Sequence, residues 1–442
     1  MINDTIVALA TAPMESAIGV IRVSGENCFE LLNKIFSRDI SIEGYKAYFG
    51  NIVDNNEIID EVIINTFVAP KSFTGENSFE ISCHGGLFII NRIIHTCIKY
   101  GARLANRGEF SKRAYLNNRI DLVQAEAIND MIRATSEEES KLALLSLKGN
   151  TSKIVKEVKE KMVQIVSNIE VNIDYPEYDD AEIMTKENTT LKLIELRKNI
   201  KEIIKDAKIG KAIKDGIKVA IIGKPNVGKS SLLNALLEED KAIVTSIAGT
   251  TRDIVEGQVV LDGLKLNLLD TAGIRNSEDC VEQIGIEKSL KTIEEADLVL
   301  LVLDASRNID EEDRKLIELT KNKQVITVVN KIELNSSSDL EGIKISAKNN
   351  DINALKEEIK KIVGYSKDYE NRPLLTNSRQ IGLLESSLNN IENALKELNN
   401  DTPIDLVSID LMKSLNDIED VLGNRSKANL SEEIFSRFCL GK

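Results

Sequence analysis

The residues best placed to do chemistry follow the apolar run Ile217-Lys218-Val219-Ala220-Ile221-Ile222. They are Gly223-Lys224-Pro225-Asn226-Val227-Gly228-Lys229-Ser230, and the helical pattern Ser231-Leu232-Leu233-Asn234-Ala235-Leu236-Leu237 comes next. The spacing G-x-x-x-x-G-K-S between a strand and a helix is that of a phosphate cradle. Its glycines let backbone N–H groups curl around phosphates at a helix N-terminus, Lys229 meets the β and γ phosphates, and Ser230 binds Mg²⁺. Asn226, Val227, Gly228 and Ser231 complete the candidate nucleotide contacts of this loop.

Three further elements follow in order. Asp270-Thr271-Ala272-Gly273 closes the strand-like run KLNLLD, so Asp270 can hold the Mg²⁺ shell and the Gly273 amide can face the γ-phosphate. Upstream, Gly249-Thr250-Thr251-Arg252-Asp253 offers Thr251 to the metal on a segment able to order around that phosphate. Asn330-Lys331-Ile332-Glu333, then Ser346-Ala347-Lys348, resemble the guanine-reading pair of small GTPases. Two positions depart from the pattern. Glu333 stands where an aspartate normally accepts from guanine N1–H and the exocyclic amine, keeping the charge with one more methylene. Ile274 stands where Ras-like proteins carry the glutamine that orients water. An isoleucine cannot do that, so Glu282 is the candidate carboxylate for the role, and by position alone a solvated helix-face charge is an equal reading of it.

The elements that must position these residues change in texture along the chain. TIVALA at 5–10, IGVIRV at 18–23, EVIINTFV at 61–68 and FEISC at 79–83 read as strands, and 26–36 and 87–99 as helices. Residues 1–118 are thus expected to form an α+β domain. From about 120, apolar residues recur three and four apart through VQAEAINDMIRATSEEESKLALLSLKGN, TSKIVKEVKEKMVQIVSNIEVNI and 191–213, the mark of long amphipathic helices. At Gly216 the pattern becomes unbroken apolar strands (IKVAIIG, KLNLLD, DLVLLVLD, QVITVVN) alternating with helices, as in a parallel sheet buried on both faces. Helical texture resumes after about 368. The expected fold is multidomain α+β and α/β: an N-terminal domain (1–118), a helical domain in two parts (119–215 and 369–442), and an inserted α/β domain (216–368) with a mostly parallel sheet.

With 42% hydrophobic and 29% charged residues, only 6 Pro, and 442 residues in all, a disordered or collagen-like chain is excluded and two to four domains are expected. The net charge of -14 excludes a uniformly basic nucleic-acid-coating surface. Residues 1–118 carry 11 Lys+Arg against 13 Asp+Glu, 119–215 carry 17 against 19, 216–368 carry 21 against 27, and 369–442 carry 8 against 12. The acidity therefore lies mostly in the second half. Cys28, Cys83, Cys97, Cys280 and Cys439 form no Cys-x-x-Cys pair, which speaks against a disulfide framework or zinc site and for a reducing cytoplasm. Met1 to Asp4 lacks the basic start of a signal peptide, and no apolar run approaches the ~18 residues of a membrane helix. Cys439-Leu440-Gly441-Lys442 formally spells a C-a-a-X box, but Gly and a terminal Lys suit no prenylation rule.

These motifs together resemble the MnmE (TrmE) family of tRNA-modification GTPases over essentially the whole chain. The resemblance is carried by Asp4-Thr5-Ile6-Val7-Ala8, Ile21-Arg22-Val23-Ser24-Gly25, Ser72-Phe73-Thr74-Gly75-Glu76, His84-Gly85-Gly86, Arg107-Gly108-Glu109-Phe110 and Asp121-Leu122-Val123-Gln124-Ala125-Glu126-Ala127. Thr245-Ser246-Ile247-Ala248-Gly249-Thr250-Thr251-Arg252-Asp253 and Phe438-Cys439-Leu440-Gly441-Lys442 complete it. The resemblance implies a potassium-dependent, GTP-hydrolysing homodimer that pairs through its GTPase domains. K⁺ would be held by Asn226 and the loop Thr245 to Thr250, with Thr245, Ile247 and Thr250 as ligands, in the place of an arginine finger. Water positioning would fall to Glu282. The N-terminal domain would resemble folate-binding modules and take a tetrahydrofolate one-carbon donor on Arg22, Glu80, Arg119 and Lys442, with arginine at 119 in place of the family's lysine. The partner implied is an MnmG-like flavoprotein carrying FAD and using NADH, in a heterotetramer that places an aminomethyl-type group on C5 of the wobble uridine of tRNA.

Cys439 reads as either a buried small hydrophobe or, through the resemblance, a participant in the modification reaction. His84 reads as structural, because only His95 accompanies it and no nucleophile is spaced as a triad. Arg103, Arg107, Lys112, Arg113 and Arg119 are a basic run that serves folate, tRNA phosphate or only a solvated face. Two other classes share the GTPase module: a ribosome-assembly RNA-binding switch, which would add a KH-like or second GTPase domain, and a folate enzyme with a regulatory GTPase insert.

Overall fold

The structure is a computed structural model that describes residues 4–40, 44–174, 185–238, 255–269, 291–334, 339–424, 434–435, 438 and 441. The chain divides into two compact units, one of residues 1–133, 143–199 and 383–442, the other of 134–142 and 200–382.

The first unit is built on a six-stranded sheet. Its strands are β1 (Thr5–Leu9), β2 (Ile18–Ser24), β3 (Lys46–Asp54), β4 (Glu57–Phe67), β5 (Ser78–His84) and β6 (Ala102–Leu104), in the order β3-β4-β5-β2-β1-β6. All pairs are antiparallel except β1 with β6. Helices α1 (Cys28–Ile35) and α2 (Leu87–Lys99) pack on it through Leu32, Ile35, Ile90 and Ile93, against Ile21, Val23, Ile64 and Ile81. Alternation along β5 puts Phe79, Ile81 and Cys83 in this core and leaves Glu80 on the other face, which is how a strand delivers a functional side chain beside an apolar wall. The four sequence-read strands and two helices of this region are present. β3 and β6 are additional: β3 is a half-exposed strand of weak alternation, and β6 has three residues.

Helices α3 (Glu109–Leu116), α4 (Leu122–Arg133), α6 (Asn150–Asp174) and α12 (Ile404–Leu422) lie in this unit with most of α11 (Ser378–Asn399) and the first half of α7 (Lys186–Asp215). A buried Ser387–Ser414 hydroxyl bond of 2.7 Å fixes α11 against α12, and Lys159 pairs with Glu419 at 2.8 Å. The helical texture expected from about 120 is divided into several helices: α5 (Glu137–Leu147) begins anew after α4, where Ser136 Oγ accepts the Glu139 amide at 3.1 Å. A hydroxyl cap of this kind starts a new helix in a way periodicity does not report.

The second unit holds the expected mostly parallel sheet, β12-β11-β10-β7-β9-β8, with only β8 antiparallel to its neighbour. These are β7 (Ile217–Ile222), β8 (Val255–Leu261), β9 (Leu264–Leu269), β10 (Leu298–Asp304), β11 (Val325–Asn330) and β12 (Ile343–Lys344). Every residue of β9 and β10 is buried, as an apolar strand covered on both faces must be. Helices α8 (Lys229–Glu238), α9 (Glu311–Thr320) and α10 (Asn353–Val363) connect or flank them.

Near its end the chain returns to the first unit's α3. Phe435 and Phe438 pack with Tyr115 and Leu122, and the Tyr115 hydroxyl donates to the Gly423 carbonyl. Gly108, at φ 65° before α3, has no room for a Cβ, which would overlap the Phe435 carbonyl. Gly108→Ala is therefore expected to lower the stability of this unit by about 1–3 kcal/mol through backbone strain and the displaced contact. Thermal unfolding checks this, and an unchanged midpoint would show that the C-terminal contact is slack.

Candidate functional site

The strand β7 ends at Ile222 and the helix α8 starts at Lys229, so Gly223 to Gly228 is a loop closing directly onto a helix N-terminus. Asn226 takes a left-handed φ of 62°, which asparagine tolerates better than most residues. Gly228 has φ 97°, and a Cβ there would overlap the Asn330 side-chain nitrogen. Lys229 Nζ donates to the Gly223 and Lys224 carbonyls, both at 2.7 Å, so the ammonium lies across the loop it would leave for a phosphate. Burial pulls the Lys229 ammonium below its ordinary pKa, and an anion placed there would restore the charged form. Ser230 and Ser231 lie exposed in the first turn of α8, where the helix N-terminus favours anions.

Asn330 ends β11 and is 2% exposed. Its side-chain N–H₂ donates to the Val227 carbonyl at 2.9 Å, and its side-chain oxygen accepts the Ala347 amide at 3.0 Å. One side chain thus ties the phosphate loop to the segment Ser346-Ala347-Lys348. Ser346 is buried and Lys348 exposed at the 3₁₀ turn Ala347–Asn349. Lys331, at φ 66°, donates through Nζ to the Asn226 carbonyl at 2.6 Å and pairs with Asp304 at 2.7 Å. Burial works to raise the Asp304 carboxyl, but Lys331 and the hydroxyl and amide of Ser306 hold it below its usual range. Glu333 lies exposed on the turn that follows.

Two features of the site, the place of Asp304 and the pairing of Lys224, escaped the sequence reading. Asp304 ends β10 directly across from Asn330 in the parallel register, a signal present in the strand DLVLLVLD but readable only once the strands are paired. Lys224, inside the loop, is held by Asp310 and by Glu312 at 3.0 Å at the start of α9. Thr245, Ser246, Ile247, Ala248, Gly249, Thr250, Thr251, Asp270, Thr271, Ala272, Gly273, Ile274 and Glu282 lie outside the described residues. Ser230 is therefore the one described member of the expected Mg²⁺ set, and Asn226 that of the K⁺ set.

In the first unit, Arg22 on β2 stands opposite Glu80 on β5 in the antiparallel register. The guanidinium donates through Nε to Glu80 Oε1 at 2.9 Å and through Nη1 to the Gly441 carbonyl at 3.3 Å. It also faces the rings of Phe73 and Phe110 at 5.3 and 5.6 Å. Arg119 Nε donates to the Ser72 carbonyl at 3.3 Å, next in sequence to Phe73, so Arg22, Glu80 and Arg119 gather around one loop. Cys439 and Lys442 lie outside the described residues, though Gly441 between them reaches Arg22. Beside Phe73 and Arg119 opens a cavity of about 610 Å³.

The basic run divides. Arg113 is 2% exposed and bonds Asp4, Glu76 and Glu109, while Arg103 pairs with Asp4 and Glu109. These two arginines hold β1 to α3 and present little to a phosphate. Arg107 and Arg119 are exposed. His84 is exposed with Nδ1 2.6 Å from Asp60 Oδ1, and Cys28, Cys83 and Cys97 are buried thiols that burial pushes up to about 12, 11 and 12.

Comparison with known proteins covers nearly all of the chain. The family model described as the MnmE helical domain matches residues 122–439, and that of the GTP-binding protein TrmE N-terminus matches 5–119. A tRNA modification GTPase MnmE of Ligilactobacillus salivarius is 41% identical over 455 residues, 99% of this chain and 98% of that protein. Those of Ureaplasma parvum (45% over 441 residues, 99% and 100%) and Mycoplasmoides gallisepticum (46% over 449 residues, 99% and 98%) bear the same name.

Gly228→Ala should displace Asn330 and, with two buried hydrogen bonds lost at ~1–3 kcal/mol for each group left unpaired, weaken guanine-nucleotide binding by at least about 100-fold. Asn330→Ala should weaken it by about 10- to 100-fold. Equilibrium titration with a fluorescent GTP analogue checks both; wild-type affinity in either variant contradicts the clamp.

Proposed function

The chain belongs to the MnmE family of tRNA modification GTPases, and from that premise we propose how its residues divide the work. The observation that carries the reading is the Asn330 side chain joining the phosphate loop to the Ser346–Lys348 segment, since it makes one site of a phosphate cradle and a base-reading pocket. GTP lies with its phosphates over Gly223 to Gly228 at the start of α8. Lys229 exchanges its two carbonyl partners for the β and γ phosphates, and Lys331 stays fixed by Asp304 beneath the base. Glu333 accepts from the guanine edge, its extra methylene taken up by the exposed turn.

Ser230 fits Mg²⁺ as a hard oxygen donor at the helix start, with Thr251 and Asp270 as its companions. Asn226, in its left-handed turn, fits K⁺ through an amide oxygen, with Thr245, Ile247 and Thr250. When bound, these cations offset charge that develops between the β and γ phosphates. Glu282 orients the attacking water, which Ile274 cannot do. Two copies pair through their GTPase domains, and hydrolysis opens and closes the pair.

The first unit supplies the one-carbon site. Arg22 and Glu80 offer a guanidinium and a carboxylate side by side at 18% and 25% side-chain exposure, walled by Phe73 and Phe110, a set that suits a pterin-like ring. A tetrahydrofolate derivative is held there, with Arg119 and Lys442 on its anionic tail and Cys439 within the reaction zone. The proposal includes the domain division 1–118, 119–215, 216–368 and 369–442 and residence in the cytoplasm. It also includes a heterotetramer with an MnmG-like flavoprotein that brings FAD and NADH, and an aminomethyl-type product at C5 of the wobble uridine. The ribosome-assembly reading is set aside because the tRNA modification relatives align end to end with this chain.

Mass spectrometry of tRNA nucleosides from a strain lacking this chain tests the reading: wobble uridines should lose their C5 group, and an unchanged nucleoside profile would refute it. The cation role predicts GTP turnover at least about tenfold faster in KCl than in NaCl at equal ionic strength, the size of a modest transition-state charge effect. Equal rates would remove K⁺ from the mechanism.

A further inference from the structure

The cavity of about 610 Å³ in the first unit lies beyond the ring of Phe73 and has an unusual lining. Tyr45, Phe67 and Phe73 supply three aromatic faces, Lys71 and Arg119 two cations, and no carboxylate contributes, in a chain whose net charge is -14. The Tyr45 ring meets Phe67 edge-on at 5.8 Å and 87°. Tyr45 holds a left-handed φ of 63°, a conformation uncommon for an aromatic residue, and its hydroxyl donates to the Lys71 carbonyl at 2.8 Å. Backbone held in a sparsely populated region persists where surrounding structure fixes it, often at binding sites. Among the described residues no hydrogen bond or ion pair engages the Lys71 ammonium, and Arg119 donates to a single carbonyl. Two incompletely engaged cations beside aromatic rings call for a ligand that has both a π-face and an anion.

A small-molecule site buries most of its ligand. Here the rim is open: Tyr45 is 67% and Ile132 45% exposed. That favours a base still attached to its strand, stacked on rings with its phosphate at a cation, as proteins take single-stranded RNA. We propose that this cavity receives an unstacked nucleotide of the tRNA loop, its base against Tyr45, Phe67 and Phe73 and its phosphate on Lys71. The inference rests on the tRNA reading above and gives it a place. Phe73 carries Arg22 at 5.3 Å and lines the cavity together with Arg119, the donor's tail contact, so a base on Lys71 and a one-carbon donor at Arg22 and Glu80 meet at Phe73 and Arg119.

The full chain is tested with an anticodon stem-loop RNA carrying 5-iodouridine at the wobble position. Irradiation should link it to peptides containing Tyr45, Phe67 or Phe73, identified by mass spectrometry. Lys71→Glu should weaken stem-loop binding about tenfold, Lys71→Arg should return it to within about twofold, and GTP turnover should stay unchanged in both. Adducts confined to other regions, or wild-type RNA affinity in Lys71→Glu, overturn the assignment. Loss of tetrahydrofolate-derivative binding in Lys71→Glu with RNA affinity intact assigns the cavity to the one-carbon donor and overturns it equally. A wild-type chain that hydrolyses GTP but ignores the stem-loop defeats the underlying tRNA reading, a different failure from misplaced adducts.

Discussion

The second unit depends on a carboxamide with two bonds. Asn330 leaves the end of a strand buried on both faces, gives its N–H₂ to Val227 in the phosphate loop and takes the Ala347 amide from the opposite segment. The sheet makes this possible. Parallel pairing of β10 with β11 and of β10 with β7 brings the carboxyl ends of three strands to one edge, which is where an open α/β sheet binds its ligand. Gly228 is then fixed by sterics, since any side chain would take the space of the Asn330 amide. Lys331 and Asp304 brace the same junction from below at 2.7 Å. A change at any of these positions reaches the phosphate loop within one or two contacts.

The first unit solves a different problem: keeping charges near a surface site without losing them to one another. Arg22 and Glu80 face each other across β2 and β5 and remain partly exposed, so both can turn to a ligand. Asp4, Arg103, Glu109 and Arg113 pair with one another, and burial of Arg113 to 2% makes that cluster structural. Burial works to raise Glu109, yet Arg103, the Asn106 amide and Arg113 hold its carboxyl below the ordinary range, so it stays ionised inside. The near-neutral charge of residues 1–118 therefore conceals a division between arginines spent on folding and cations left for ligands.

Much of this was legible from the chain alone because it is local. The phosphate loop is eight consecutive residues, the buried strands announce themselves as unbroken apolar runs, and the Asn330 and Ser346 motifs have short, specific patterns. What escaped is what distance in sequence conceals. Lys224 meets Asp310 eighty-six positions away, and the return of Phe435 to Tyr115 has no local signal. The boundary between α4 and α5 was not placed because a serine cap leaves hydrophobic periodicity intact. The arginines at 103 and 113 stood in a basic run left open between folate, tRNA phosphate and a solvated face, because ion pairing cannot be read from charge spacing, and only pairing with Asp4 and Glu109 revealed their use.

The central claim is that a nucleotide cradle in one unit governs tRNA chemistry in the other. It is tested most directly by returning the Gly228→Ala chain, shown to be folded, to a strain lacking the wild-type gene and measuring wobble-uridine nucleosides by mass spectrometry. The account predicts that the C5 modification stays absent although Arg22, Glu80 and the cavity at Phe73 are untouched. Full restoration of the modified nucleoside by a chain that no longer binds GTP would contradict it.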